Sequence, residues 1–550
     1  MDSHVSLFLP LGTHNSHLYI KKVKRGNNML KKLNVLVIAI LLSIVLIACG
    51  SNSDPASKGN DIADSNDSPE NRTLRIGLAN DMTTLDIHDH LHHTTEIVHR
   101  NIFNYLFRRD LESGEIVPEL AESYEMLDDT TWEIKLKGGI TFHNGDTFSA
   151  ADVKYTIDRV INDNSLQSFI DFRQIAETEI IDELTIQIKT QQPDPILINR
   201  LSKISASILP SQYIEENGMD HFLQNPIGTG PFKFVDWVRD SHIELEVYED
   251  YFDGKSEEWD NIIFKVIPEN STRVSELLSG DVDIALNMPP SEWERIDLNN
   301  DTYLAQGESI RRAMIILRST DGYPTSDPKV RKALDLAIDN QLLIDSLLHG
   351  SATPISSAVT PGIFGAAEDL YDMYNYDPDR AKVLLEEAGY SDGFEMTIHA
   401  ARGAGLQGIE VVEMIAGMLE EINVKVNIDI MEPSRFVEMR TNGTNEDGFF
   451  ITLGNTMYDA SFGLIMYDYE SFKGTSDYYN EKYDQLLKQA AVIMDQDERE
   501  QLYYEAQHIL AEDIPYILLH LESVNVGVSN DIDFKTSRDE MIYPESIKRK

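Results

Sequence analysis

EMTIHAARGAGLQGIEVVEMIAGMLEEINVKVNIDI, residues 395–430, decides the fold class. Positions 395–399 are strand-like, ARGAGLQG at 401–408 is a glycine-rich loop, and a helical stretch runs from about 409 to 422. Residues 424–430 then alternate apolar and polar side chains at period two, as a half-buried strand does. Strand, helix and strand in this order make a βαβ unit, so the two strands should be parallel and the crossover right-handed. On either side, helices are announced by their caps. Asp327-Pro328 and Asp377-Pro378 each put an Asp cap before a Pro at the first helical position. After the second, Ala381, Leu384, Leu385 and Ala388 form a buried stripe that Gly389 ends. Ser149-Ala-Ala-Asp152 is a capping box. Strands are expected at 131–136, 184–188 and 243–247. The fold class is therefore α/β, and its discontinuous strands point to two lobes facing a cleft.

The N-terminal region reads as an export signal. VLVIAILLSIVLIA at 35–48 follows Lys31-Lys32 and ends at Cys49-Gly50. A basic flank and an apolar run of this length, too short for a comfortable span, mark a secretory signal. The ending LIAC, 46–49, looks like a lipobox, in which Cys49 is acylated and becomes the mature N-terminus. Met29 is a more natural start than Met1, so residues 1–48 read as leader and lipoprotein signal peptide. Residues 49–71 carry almost no large apolar side chain and read as a flexible tether.

The chain has 93 acidic against 47 basic residues, a formal charge of −46. Such a surface repels nucleic acid and anionic lipid, which removes nucleic-acid binding from consideration. Cys49 is the one cysteine, so no internal disulfide and no cysteine-based metal motif exists. There is no Gly-x-Ser-x-Gly elbow, and GTGP at 228–231 lacks the Lys-Ser/Thr ending of a phosphate-binding loop. Catalysis has no obvious nucleophile here.

Several stretches, in order, resemble the family 5 extracellular solute-binding proteins, the peptide receptors of ABC importers. They are PELAESYEMLDDTTWEIKLKGGITFHNGDTFSAADVKYTIDRV (118–160), NPIGTGPFKFVDW (225–237), GDVDIA (280–285), DPKVRKALDLAID (327–339) and YDPDRAKVLLEEAGY (376–390). The resemblance implies a periplasmic-binding-protein-like fold: two mixed α/β lobes around a ligand cleft, plus an additional domain. Lobe I would comprise 72–114, 207–310 and 523–550, the accessory domain 115–206, and lobe II 311–522. The cleft would close on a short peptide, glutathione-like tripeptides being a leading candidate, and deliver it to an ABC permease/ATPase complex. No cofactor, no metal and a monomeric receptor are implied, anchored to the outer face of the cell membrane.

The resemblance also suggests the site. FITLGNTMYDASFGLIMYD, 450–468, looks like the peptide- and glutathione-type branch, where a carboxylate in this loop pairs with the ligand's amino group. Asp459 is the nearest match, beside Asn455 and Tyr458; a helix cap is its other reading. Arg402, in the loop after the 395–399 strand, could hold a ligand carboxylate bidentately or be a solvated loop charge. The stretch DIHDHLHHTTEIVH, 86–99, carries five histidines and corresponds to the lip of the cleft, with His90, Leu91 and His92 at ligand-contacting positions. Three readings of it stay open: cleft lip, metal site, or polar surface. A metal site would make the protein a nickel- or metal-chelate receptor, or a metal-dependent hydrolase. As cleft-lip residues these histidines should titrate near neutrality.

Overall fold

The computed structural model describes residues 72–550, apart from Leu91, Leu111, Glu112, Asp372, Tyr374 and Phe472. The leader, Cys49 and the tether lie outside the described residues, as does Leu91. The strands, in chain order, are β1 (Thr73–Leu78), β2 (Phe107–Arg109), β3 (Ile116–Pro118), β4 (Ala121–Asp128), β5 (Thr131–Leu136), β6 (Ile175–Asp182), β7 (Thr185–Thr190), β8 (Phe232–Val238), β9 (His242–Val247), β10 (Asn261–Val266), β11 (Ile284–Ala285), β12 (Thr302–Leu317), β13 (Thr353–Pro354), β14 (Phe394–Ala401), β15 (Val424–Met431), β16 (Gly448–Gly454) and β17 (Tyr516–Ser529).

One sheet runs through both lobes in the order β15-β14-β16-β12-β17-β11-β1-β10-β9-β8, with β13 added on β17. The βαβ unit is as the sequence describes it. β14 and β15 pair in parallel from Phe394↔Val424 to Ala401↔Met431, joined by the Gly408–Glu420 helix. Its Val411, Val412, Ile415 and Leu419 enter a core shared with Ala313, Ile315, Leu317, Ile517 and Leu519. The first lobe has its own core of Leu74, Ile76, Phe232, Ile262, Phe264, Val526 and Val528. The β12–β17 ladder runs from Thr302↔Ser529 to Ile316↔Tyr516 with two register shifts on the way, so these two strands belong to both lobes.

The Asp-Pro caps form as expected. Asp327 accepts from the Lys329 N–H at 2.8 Å and Asp377 from the Arg380 N–H at 2.9 Å. The helical stretch after Asp327 is two helices, Pro328–Leu336 and Asn340–Ser346, because Asp339 caps the second through the Leu342 N–H.

The accessory domain is a four-stranded antiparallel sheet, β4-β5-β7-β6, over a core of Trp132, Ile134, Phe142, Phe148, Ile157 and Ile186. Buried polar residues of the quoted motifs fasten it to the first lobe. Glu119 accepts from Asn104 Nδ2 at 3.0 Å and the Tyr105 N–H at 3.1 Å. Asp152 completes the capping box by accepting from the Ser149 N–H, and its other oxygen accepts from Ser211 N–H and Oγ. The His143 ring donates from Nε2 to the Gly230 carbonyl at 2.9 Å and accepts the Gly228 N–H on Nδ1 at 3.2 Å.

GTGP therefore serves packing. The turn lies against the last residue of the His93–Ile102 helix, and a Cβ on Gly228 would sit 2.1 Å from the Ile102 carbonyl oxygen. On Gly230 it would be 2.5 Å from the Ile102 carbonyl carbon. Backbone cannot yield as a flexible side chain does. Gly228→Ala should cost about 3 kcal/mol or more, or abolish soluble expression, in denaturant unfolding. Gly254→Ala, where a Cβ meets nothing within 4 Å but φ is +93°, should cost only the smaller backbone strain.

Candidate functional site

Charged side chains collect where β12 and β17 pass from one lobe to the other. The ladder shifts register between Glu308 and Arg312 and again between Ala313 and Met314. Such irregularities re-aim side chains. Arg311 reaches Glu540 of the C-terminal segment with two nitrogens at 3.2 Å each, and its Nε lies 3.7 Å from Glu522 on β17. Ser309 Oγ donates to Glu540 at 2.6 Å. His93 stands between two acids, Nε2 being 3.4 Å from Glu540 and Nδ1 4.0 Å from Glu96.

The three carboxylates are not equivalent. Burial would raise Glu540, but Arg311 and His93 outweigh it and hold the group below the usual range. Burial lifts Glu522 to about 7, Arg311 and the Leu406 N–H opposing and Glu540 adding. Burial likewise lifts Glu96 to about 7, with Lys203 and Arg311 opposing and Asp171 and Asp539 adding. His93 is lowered by burial and is neutral at pH 7.

Further contacts cross the same seam. Asn199 Nδ2 donates to the Met457 carbonyl at 2.8 Å, and Arg538 donates to the Pro361 carbonyl at 3.0 Å. The Arg109 guanidinium lies 3.9 Å from the Tyr458 ring centroid. Tyr458 holds a φ of +53°, left-handed for a non-glycine residue, at a cost of order 1 kcal/mol.

The sequence-derived candidates divide. Tyr458 faces Arg109 across the seam, and Asn455 is buried, donating to the Asp459 carbonyl at 2.9 Å. Asp459, 2% exposed, is committed elsewhere: it caps the Ala460–Leu464 helix through the Ser461 N–H and pairs with buried Arg499. A ligand amine would have to displace Arg499, so of its two readings the geometry gives the cap. The Arg402 side chain is 63% exposed and paired with Glu432 at 3.0 Å, which is the solvated-charge reading. The sequence reading passed over Glu96, Arg109, Arg311, Glu522 and Glu540. One signal was present: Arg311 and Glu522 interrupt the apolar runs of IRRAMIIL and YILLHLESV.

The histidines are mostly interior. His88, fully buried, accepts on Nδ1 from Arg159, which also makes a bidentate pair with Asp86 at 2.9 and 2.6 Å. His90 accepts the His92 N–H on Nδ1, so its Nε2 carries the proton given to His99 Nδ1, 3.2 Å away. Burial lowers His88 to about 3 and His90 to about 4, and His99 falls well below its usual value. The expectation that they titrate near neutrality is corrected: under the accessory domain they stay neutral. Among the described residues no three His, Cys, Asp or Glu are placed to share a metal ion.

Two expectations follow from this geometry. Asp459→Ala removes a cap and strands a buried guanidinium, and should cost ~3–5 kcal/mol in denaturant unfolding. A fall below 1 kcal/mol would count against the structural role. The unfolded chain protonates its histidines below about 6.5 while the folded chain does not, so stability should fall as pH drops from 6.5 towards 4. Each histidine contributes up to ~1.4 kcal/mol per pH unit, and His90→Gln should flatten the slope.

The comparisons with known proteins agree with this architecture. The family described as "Bacterial extracellular solute-binding proteins, family 5 Middle" matches residues 115–475. The glutathione-binding protein GsiB of Salmonella typhimurium is 30% identical over 460 residues, covering 82% of this chain and 89% of the relative. Two solved structures share the fold. DppA from Helicobacter pylori, in complex with the peptide STSA, has a TM-score of 0.74 at 24% identity, over 86% of this chain and 98% of that one. NikZ from Campylobacter jejuni, in complex with Ni(L-His), has 0.75 at 22% identity, over 87% and 100%. Lobes, accessory domain and quoted motifs thus lead to one conclusion: the chain belongs to the family 5 bacterial extracellular solute-binding proteins.

Proposed function

We propose that this protein is the substrate-binding receptor of an ABC importer, taking up short peptides and delivering them to a permease/ATPase complex. The observation that carries the reading is the seam itself, where half-buried and buried charged groups of both signs meet between two lobes joined by β12 and β17. Two strands with a local irregularity make a hinge of the kind that allows one lobe to close on the other. In this reading lobe I is 72–114, 207–310 and 523–550, the accessory domain 115–206 and lobe II 311–522. His92, Asn455 and Tyr458 are ligand contacts, and His90 supports the lip from beneath. The GsiB relative's named ligand makes glutathione the first tripeptide to test. The receptor binds without catalysing, acts as a monomer, and is held outside the cell membrane by a lipid on Cys49.

A thermal-shift panel on residues 50–550 tests this. It contains glutathione, di- to pentapeptides, free amino acids, and nickel and zinc with and without histidine. A ligand at a hundred times its Kd adds ~2.7 kcal/mol, a readable shift. A shift with peptides that a chelator leaves untouched is expected. A shift with metal or its histidine chelate alone would replace the peptide reading by a metal-chelate receptor.

A further inference from the structure

The seam's charges do not balance among themselves. Glu96, Glu522 and Glu540 share the neighbourhood of one guanidinium, and Arg311 spends its two short contacts on Glu540. Lys203, the other cation acting on Glu96, is bonded to Asp171 at 2.7 Å. Among the described residues the nearest polar partner of the Glu96 carboxylate is the neutral His93 ring at 4.0 Å. Glu522, 7% exposed, takes the Leu406 N–H on Oε1 at 2.7 Å, while its Oε2 has only Arg311 at 3.7 Å. Two carboxylates, half-buried Glu96 and buried Glu522, therefore depend on a guanidinium whose short contacts go to Glu540. Charges held out of water in this way are costly unless something completes them.

A complementary shortage lies on the first lobe, opposite Tyr458. Arg109 donates one Nη to the Gly114 carbonyl, while its Nη2 is buried with no hydrogen-bond partner among the described residues. Among the described residues no carboxylate lies within ion-pair distance of it. Its face is taken by Tyr458, which leaves the edge of the fork, the part that matches a planar carboxylate. The segment 538–540 runs past both shortages: Glu540 holds Arg311 and lies 3.4 Å from His93, while Arg538 donates to the Pro361 carbonyl at 3.0 Å, in the stretch whose Phe364 N–H donates to the Tyr458 carbonyl at 3.2 Å. Asp539 itself is used by the Tyr543 hydroxyl at 2.6 Å and the Met541 N–H at 3.0 Å.

We infer, resting on the peptide-receptor reading, that the ligand is taken as a zwitterion whose ammonium goes to Glu96 and Glu522 and whose carboxylate goes to Arg109 against Tyr458. Asp459 and Arg402, engaged by Arg499 and Glu432, take no part. The ligand's two charges supply what the seam lacks, and closing the lobes removes water from both pairs. Free carboxylates raised to about 7 must give up their proton when the ammonium arrives, so binding is coupled to proton release.

Titration calorimetry on the whole receptor tests this with glutathione and tri-alanine, each beside its N-acetylated form, and with tri-alanine amide. Wild type should bind the acetylated and amidated forms at least about 30-fold more weakly. In Glu96→Gln and Glu522→Gln the penalty for acetylation should shrink to about 3-fold or less, and in Arg109→Gln the penalty for amidation should do so. Thermal melting checks that each variant is folded. A second measurement needs no variant. At pH 6.5, wild type titrated in two buffers of different ionisation enthalpy should release roughly one to one and a half protons per free-amine ligand; at pH 8.5 release should vanish and tri-alanine, whose amine titrates at about 8 and is mostly neutral there, should take up part of a proton instead. Folded variants that keep full discrimination, or binding without proton release, would overturn the assignment while leaving the peptide reading intact. If neither glutathione nor tri-alanine binds wild type, the peptide reading falls and the assignment with it.

Discussion

Both lobes are built on one ladder. β12 and β17 pair antiparallel from Thr302↔Ser529 to Ile316↔Tyr516, and each strand feeds a different core at each end. Val526 and Val528 pack in the first lobe; Ile315, Leu317, Ile517 and Leu519 pack in the second. Neither core could form with these strands displaced by one residue, because a slip of one turns every side chain to the wrong face. The first register shift, between Glu308 and Arg312, falls between the two cores, and the second, between Ala313 and Met314, lies at the edge of the second lobe's core. Between the cores the strands can carry Ser309, Arg311 and Glu522. The site sits at the crossing because the crossing is where packing constraints relax.

A second tier of polar residues joins the pieces that the ladder does not. Glu119, His143 and Asp152 each belong to a recognisable local motif, yet each spends its hydrogen bonds on another part of the chain. Arg331, in DPKVRKAL, does the same, donating to the carbonyls of Thr325, Ser326, Asp513 and Ile514. Glu119, Asp152 and Arg331 are buried and His143 is half-buried, and a buried polar group left without its partner is expensive. That cost ties residue type to position and gives these motifs their recognisable form.

The same distinction explains what could be read from the chain. The βαβ unit, the Asp-Pro caps and the Ser149–Asp152 box are local: period, cap and partner lie within a few residues of each other. The seam is not local. Asp459 meets Arg499 forty positions away, and Glu540 meets Arg311 from the far end of the chain. Nothing near Asp459 in sequence distinguishes a ligand carboxylate from one already claimed. The histidines misled for a related reason. A segment rich in His, Asp and Thr has the composition of a solvated loop, and only the accessory domain, folded from residues beyond it, buries His88 and His99 and sets their charge.

Burial therefore separates acids less well than the company they keep. Asp86 with Arg159, Asp171 with Lys203, Asp194 with Arg200 and Asp459 with Arg499 are all buried acids matched by a cation of the protein's own. Removing either partner would leave a bare charge, so these pairs act as fasteners, and their satisfaction makes them poor receptors for anything else. Glu522 is at comparable depth and Glu96 is half-buried on the line where the lobes meet, but the nearest guanidinium is already bound to Glu540. In a chain with 93 acidic residues, number and conservative chemistry cannot single out a binding carboxylate. An unmet need for a cation can, because a protein keeps such a cost only where a ligand removes it.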